Sequence, residues 1–230
     1  MLADPLPSAV LTSMATKRVI TLVAGVSAWA CHGNGTQPAG PPFDLLKSGG
    51  DAQNWYFNNP LPTPLSVTAV DVSGQPVPGV AVTWAVTGEG GVSPAQSTTN
   101  ANGVATTIDS LGSSTLQRVA ASFTGLANAV TFTEIGSAPP TAVGVSVNNN
   151  AFVRPDTSVQ IGGTVTWTWN SGTTLHSVTY LTAPGALPTS SPTQNASGPP
   201  FSTTFTTVGR YTYHCTQHPT LMTGSVTVVH

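Results

Sequence analysis

The chain has 230 residues, of which only 6% are charged, and its formal net charge at pH 7 is −2. It contains no run of Lys and Arg longer than Lys17-Arg18, so nucleic acid and anionic membrane surfaces are excluded as electrostatic partners. Threonine and valine are abundant, and because their β-branched side chains favour strands, the composition predicts an all-β protein.

The N-terminal segment has the pattern of an export signal. Lys17 and Arg18 precede an apolar stretch of about a dozen residues, which is shorter than the roughly 20 that span a bilayer. Ala28-Trp29-Ala30 then supplies the small residues that signal peptidase requires. We therefore predict a signal peptide over residues 1–30. A start of translation at Met14 and a buried core helix are the alternatives.

Cys31 is the first residue after that cleavage point. A cysteine at this position is typical of a lipoprotein, whereas the A-x-A pattern is typical of a secreted protein. Both processes cut the bond between Ala30 and Cys31. We expect an exported protein, periplasmic or at the cell surface, with Cys31 as a candidate lipidation site and the sole membrane attachment.

Two stretches without periodicity divide the rest of the chain. Residues 31–47 are rich in Gly, Pro, Asn and Gln and predict a flexible tether. Residues 137–142 contain Ser-Ala-Pro-Pro and predict a linker. They separate a unit at 48–136 from a unit at 143–230, and neither unit shows a helical apolar period. The sequence predicts two β-sandwiches in tandem.

Strand-like runs alternate with turn signals in the first unit, at the spacing of 8–12 residues that β-sandwiches show. The runs at 65–71 and 80–86 alternate in polarity, with Trp84 on the same face as the valines, and Asn102-Gly103 predicts a hairpin turn. The segments PVPGVAVTW (76–84) and TTNANGVA (98–105) resemble bacterial Ig-like domains of the invasin type. The resemblance implies an Ig-like sandwich acting as a spacer, with direct ligand binding as the alternative.

The second unit contains two alternating runs that end beside chemically active residues. The run at 164–169 places Val165, Trp167 and Trp169 inward. The run at 211–215 places its two tyrosines and Cys215 on one face and His214 on the other. We expect Cys215 to point into the sandwich at the end of a strand.

A short loop follows with the spacing C-x2-H-x3-M, formed by Cys215, His218 and Met222, and His176 lies 39 positions before the cysteine. One thiolate and two imidazoles with a weak axial thioether suit copper in both of its oxidation states. The simpler interpretations are a cysteine and a methionine that only fill the core and histidines that are structural. Four suitable residues in this order favour one copper ion.

The early His-Ser-Val and the late Y-x-Y-x-C-x2-H-P-x2-M-x-G resemble the cupredoxins, especially plastocyanin and amicyanin. The resemblance covers residues 143–230 and implies a Greek-key sandwich with a type 1 (blue) copper. It implies His176 and His218 as imidazole ligands, Cys215 as the thiolate and Met222 as the axial thioether. It also places Ser177 near the thiolate sulfur. The family has two or four residues between the second His and the Met, so a spacing of three leaves the axial bond length open.

His214 has three interpretations: a solvated surface residue, an exit route for electrons together with His218, or a bridge to a second copper. A second copper needs more imidazoles, and only His32 and His230 remain. We therefore expect one copper. A site closed by four ligands has no position for substrate, so we expect a one-electron carrier and not an enzyme. Cys215 is then committed to metal and forms no disulfide with Cys31.

A carrier requires a redox partner protein. We expect docking through the apolar rim at residues 219–221, beside His218. The second unit has only three charged residues, Arg154, Asp156 and Arg210, so association should depend weakly on salt. Copper delivery and surface adhesion with an accessory copper domain are the alternative functions.

Overall fold

The structure, a computed structural model, describes residues 39–230. The predicted signal peptide, the start codon, Cys31 and the rest of the predicted tether up to residue 38 lie outside the described residues. The described part of the chain is built of strands without a helix. It accordingly contains no helix suited to crossing a membrane. The prediction of an all-β protein is confirmed.

The first sandwich consists of two sheets. Its strands are β1 (Asp44–Gly49), β2 (Asn54–Tyr56), β3 (Leu65–Val70), β4 (Ala81–Thr87), β5 (Gly90–Ser93), β6 (Gln96–Thr98), β7 (Val104–Leu111), β8 (Leu116–Ser122) and β9 (Val130–Ser137). One sheet has the order β1-β3-β7-β5 and the other β2-β9-β8-β4-β6. Alternation in β4 buries Val82 and Trp84, and the Trp84 ring packs 6.0 Å from Phe132 of β9. The predicted apolar face of this strand therefore faces the core.

The predicted tether is too long at its C-terminal end. Residues 44–47 belong to β1, which pairs antiparallel with β3 from Asp44 opposite Val70 onward. Leu45 is buried in the core while Leu46 is exposed. A single buried leucine next to a stretch rich in Gly and Pro is too weak a pattern to predict a strand from sequence. Residues 44–49 form a strand because they pair with β3.

The second sandwich also consists of two sheets. Its strands are β10 (Ala142–Asn148), β11 (Ala151–Val153), β12 (Asp156–Gln160), β13 (Thr164–Trp169), β14 (Thr179–Thr182), β15 (Phe201–Thr204), β16 (Gly209–His214) and β17 (Thr223–Val229). The sheet orders are β11-β10-β13-β15 and β12-β17-β16-β14. The core is rich in aromatic side chains, with Trp167 edge-on to Tyr180 and to Tyr213 at ring separations of 6.3 and 5.4 Å. This core fixes the strand ends that carry the candidate site.

Three of those strand ends meet at one end of the second sandwich. Cys215 directly follows β16, and Met222 directly precedes β17, which pairs antiparallel with β16. His176 lies in the connection from β13 to β14, and β14 pairs with β16 so that Thr179 lies opposite His214. The topology thus brings residues 39 positions apart in sequence to a common edge.

Candidate metal centre

His176 is held by its backbone as well as by its surroundings. Its N–H donates to the carbonyl of Gln194 at 2.8 Å, and its own carbonyl accepts the N–H of Gln194 at 2.9 Å. The indole Nε1 of Trp169 donates to the same carbonyl at 3.2 Å. The side chain of His176 is 0% exposed. The long segment from β14 to β15 therefore holds the backbone that carries this buried imidazole.

Cys215 and His218 lie in a tightly turned loop. The N–H of His218 donates to the carbonyl of Cys215 at 3.1 Å, and the N–H of Met222 donates to the carbonyl of His218 at 2.9 Å. The loop closes where the N–H of Cys215 donates to the carbonyl of Met222 at 3.0 Å. Backbone hydrogen bonds thus hold the loop in a conformation that turns the two side chains toward each other.

The two imidazoles face the sulfur with the same ring nitrogen. Nδ1 of His176 lies 3.6 Å and Nδ1 of His218 lies 3.8 Å from Sγ of Cys215. The ligand atoms of this trio all lie within 4.8 Å of one another. Metal–ligand bonds of about 2.0–2.3 Å, the values for zinc with nitrogen and sulfur, arranged at 120° separate neighbouring donors by about 3.6 Å. The donor positions therefore fit a metal ion placed between them.

The sulfur has a hydrogen-bond donor beside it. The N–H of Ser177 points to Sγ of Cys215 at 3.4 Å. The hydroxyl of Ser177 accepts the N–H of Thr216 at 3.0 Å and lies 2.9 Å from the hydroxyl of that residue. Ser177 thus ties the strand end that carries His176 to the loop that carries Cys215. A donor at this place stabilises a thiolate and restrains it.

Met222 is 1% exposed and belongs to the same core cluster as Cys215. Its carbonyl and its N–H anchor the ligand loop as described above. Its thioether extends the soft donor set of the trio, which is the combination expected for copper. The structure thus places Met222 at the buried end of the loop, and its role as axial ligand stays a prediction.

The environment favours a neutral imidazole at His176. Burial, and to a smaller extent the charge of neighbouring His218, lowers the pKa of His176 below its usual value. The ring centroids of the two histidines are 5.0 Å apart. Nε2 of His176 is buried without a hydrogen-bond partner. A neutral ring offers the lone pair of one nitrogen to a metal ion at pH 7, and Nδ1 is the nitrogen that faces the sulfur.

His214 is outside the donor set. It is half-buried at the end of β16, where it pairs with Thr179 on one side and Thr223 on the other. In residues 39–230, the trio is the one group of three or more His, Cys, Asp or Glu residues that is arranged to hold a metal ion. His230 follows the far end of β17. The donor residues therefore form a single-copper site.

Two residues that support the site were not identified from the sequence. Trp169 was expected to be inward-facing, which is correct, but alternation gives no sign that its indole donates to the His176 carbonyl. Gln194 lies in a stretch rich in Pro, Ser and Thr without periodicity. Its pairing with His176 depends on a contact between distant segments, which sequence pattern does not encode.

Comparisons with known proteins agree with this geometry. Residues 53–135 match the family described as bacterial Ig-like domain (group 1), and residues 140–229 match the copper binding proteins of the plastocyanin/azurin family. No curated protein matches the chain.

Solved structures similar to part of the chain include three cupredoxins. A purple cupredoxin from Nitrosopumilus maritimus is 26% identical, with 38% of this chain and 99% of that chain covered and a TM-score of 0.33. Reduced amicyanin P94F is 33% identical, with 38% and 82% covered and a TM-score of 0.33. A mutant plastocyanin of fern is 27% identical, with 37% and 99% covered and a TM-score of 0.33.

Proposed function

We propose a function from one premise: residues 140–229 belong to the plastocyanin/azurin family of copper-binding proteins, and residues 53–135 to the bacterial Ig-like domains. The protein is a type 1 copper carrier that transfers one electron at a time outside the cytoplasm. Bound copper supplies the change between Cu(I) and Cu(II). The chain supplies the fixed donors, the covering of the site and the surface for a partner.

The observation that carries this proposal is the enclosed trio of donors. A carrier works best when the ligand positions barely move between the two oxidation states. Here the His176 backbone is paired with Gln194, and the Cys215–Met222 loop is closed by its own hydrogen bonds. Both ligand segments are connected through Ser177 and Thr216. These restraints act on the donors in either state.

The site has one accessible edge. His176 is fully buried, whereas His218 is half-buried and the residues after it are exposed, with Leu221 at 72%. Electrons leave most directly through the His218 ring, because it is the donor closest to solvent. The exposed Pro219, Thr220 and Leu221 form the docking face for a redox partner protein. His214, half-buried on the neighbouring strand, is a second exit.

Export agrees with the kinds of domain in the chain. Bacterial Ig-like and plastocyanin/azurin domains are both suited to the periplasm or the cell surface. The basic pair Lys17-Arg18, the apolar stretch after it and the small residues before Cys31 provide the signal. Lipidation of Cys31 attaches the protein to the envelope, and mass spectrometry of the mature N-terminus tests this attachment.

The decisive experiment is a visible spectrum and a voltammogram of the Cu(II)-loaded protein. A strong thiolate-to-copper band in the orange-red region and a reversible one-electron wave are expected. Cys215→Ser should abolish the band because it removes the thiolate of the donor trio, while the matched control His214→Ala should keep it. A colourless Cu(II) protein would refute the proposal. A coloured protein that quickly loses copper to a chelator and gives no reversible wave would indicate delivery instead.

A further inference from the structure

A single side chain of the first sandwich forms hydrogen bonds with the backbone of His230, which directly follows the last strand of the second sandwich. The side-chain Oδ1 of Asn59 accepts the N–H of His230 at 3.0 Å, and its Nδ2 donates to the backbone oxygen of His230 at 3.2 Å. These residues are 171 positions apart. The same Nδ2 donates to the carbonyl of Phe57 at 2.6 Å. Each polar atom of the amide is thus used.

This exchange reproduces a backbone pairing. In an antiparallel ladder, two opposed residues exchange both N–H···O bonds, and here the Asn59 amide takes the place of a peptide group opposite His230. Asn59 is 3% exposed, and its own carbonyl accepts the N–H of Leu111 at 3.1 Å. The amide is therefore positioned by the first sandwich and is shielded from competing water.

The covalent connection between the sandwiches is also restrained. On one side the carbonyl of Ser137 accepts the N–H of Phe57 at 2.9 Å. On the other side the carbonyls of Pro140 and Thr141 accept backbone N–H groups of the second sandwich at 2.8 and 3.0 Å. Two consecutive prolines occupy positions 139 and 140, and each ring fixes its own φ. Little of the linker is left to act as a hinge.

A short linker alone still lets one sandwich rotate relative to the other. The hydrogen bonds between Asn59 and His230 are a second attachment at a different place, and they remove most of this rotational freedom. Tyr56 of the first sandwich also lines a cleft together with Val143 and Thr227 of the second sandwich. We propose that Asn59 locks the two sandwiches into one rigid body. This proposal goes beyond copper chemistry and does not depend on it.

The contact between Asn59 and His230 lies at the end of the second sandwich opposite the ligand loop. β17 begins next to Met222 and ends next to His230, so its seven residues, at about 3.3 Å each, separate the ligand loop from the lock by roughly 20 Å. In the first sandwich, the N–H of Asn58 donates to the carbonyl of Leu111, the last residue of β7. Asp44, where β1 begins, lies opposite Val70, the last residue of β3. Because β3 and β7 are antiparallel, these two places are at opposite ends of the sandwich. The N-terminal strand β1 thus begins at one end of the pair of sandwiches, and the ligand loop lies at the other end.

A rigid Ig-like unit then acts as a spacer of fixed length between the N-terminal attachment and the docking face. This spacer role rests on the proposed function, whereas the lock itself does not. Loss of copper binding would remove the reason for a spacer and leave the two bonds between Asn59 and His230 unaffected.

Residual dipolar couplings of backbone amides in the metal-free full chain, aligned in a neutral gel, test the lock. Amides of β8 and β9 and amides of β13 and β16 should fit one common alignment tensor. Asn59→Ala should lose this common tensor, so that each sandwich fits only its own. Asn128→Ala, an exposed amide of the first sandwich, is the matched control and should keep one tensor.

Separate tensors in the unsubstituted protein would overturn the proposal, as would a single unchanged tensor in Asn59→Ala. If the alanine variant does not fold, Asn59→Asp serves instead. The aspartate keeps an acceptor for the His230 N–H, but Asn59→Asp loses the donor to the backbone oxygen of His230, so this variant too should separate the tensors. The unsubstituted protein tests the proposal without any variant.

Discussion

Two carboxyl groups lie buried in the core of the first sandwich without a cation beside them. Asp109 of β7 and Glu134 of β9 are both 0% exposed, and Oδ2 of the first and Oε1 of the second have no hydrogen-bond partner. Gln117 donates to the other oxygen of Asp109 at 2.6 Å. Burial raises the pKa of Asp109 to about 6 and, with the charges of Asp51 and Asp109, raises the pKa of Glu134 to about 7.

These raised pKa values predict that the protein loses stability as the pH rises. A carboxyl group whose pKa is higher in the folded state contributes its full stability below pH 4, near the pKa in the unfolded chain. That stability is lost as the pH rises through the folded-state pKa values near 6 and 7. Each pKa unit by which the folded state exceeds the unfolded chain corresponds to about 1.4 kcal/mol of unfolding free energy. Guanidinium unfolding of the metal-free protein at pH 4, 6 and 8 should show the decrease.

Glu134→Gln tests the origin of this decrease. Glutamine keeps an acceptor for the N–H of Gln53, which now binds Oε2 at 2.5 Å, and it carries no charge. The variant should have a flatter dependence on pH and higher stability at pH 8. Glu89→Gln, an exposed position whose carboxyl binds Ser113, should leave the decrease unchanged. An equal slope in Glu134→Gln would show that this group stays ionised in the folded state.

The ligand residues could be identified from sequence because each carries its own chemistry. Cys215, His218 and Met222 lie in one loop, and alternation in β16 already places the cysteine inward. His176 was found through residue type, order and family resemblance. The supporting groups at Trp169 and Gln194 lack such a signal, because a carbonyl acceptor can belong to any residue. Their role follows from tertiary contacts alone.

At the level of secondary-structure elements, β13 and the segment between β14 and β15 position His176 together. Trp169, the last residue of β13, donates its indole N–H to the His176 carbonyl, and Gln194 binds the same carbonyl. Each bond limits the movement of the backbone that carries the ring. Removing one of these hydrogen bonds should increase the motion of the imidazole more than it disturbs the core, provided that the substituted side chain still fills the space of the original one.

Trp169→Phe is the corresponding variant. It keeps an apolar aromatic ring and removes the donor, so the metal-free protein should show increased motion of the His176 imidazole in nitrogen-15 relaxation. In the Cu(II) form the thiolate-to-copper band should persist with altered intensity. Trp55→Phe in the first sandwich is a control that should change neither. Unaltered His176 dynamics in Trp169→Phe would limit Trp169 to a packing role.

The strands also show which secondary structure can be predicted from the apolar pattern of the sequence and which cannot. Strands with two or more inward apolar residues, such as β4 and β13, were predicted with their correct faces. β1 was assigned to the tether, because its only buried apolar side chain is Leu45. An edge strand of this kind is determined by hydrogen bonds to its neighbour, and the neighbour is not visible in local sequence.

At the scale of the whole molecule, the distribution of charge predicts how a partner binds. Arg154, Asp156 and Arg210 are the charged residues of the second sandwich, and Arg210 and Asp156 lie 4.0 Å apart. The ligand loop at 215–222 contains no Asp, Glu, Lys or Arg. We therefore expect association through the proposed docking face to be driven by apolar contact, which salt affects little.

Electron transfer to a neutral redox partner should consequently keep its second-order rate constant within about threefold between low and physiological ionic strength, because strong salt dependence requires clustered charge. Stopped-flow oxidation of the Cu(I) protein measures this rate constant. Leu221→Asp, which places a charge on the docking face, should slow the reaction, while Leu116→Asp, exposed on the first sandwich, should not. A steep fall with added salt in the unsubstituted protein would argue for a charged interface elsewhere.

The unequal exposure of the two histidines has a consequence for the assembly of the holoprotein. His176 is fully buried while His218 is half-buried, so the His218 edge is the open approach to the site. Under the proposed function, a copper donor and a redox partner would compete for that one edge. We therefore expect acquisition of the metal and exchange of electrons to exclude each other in time.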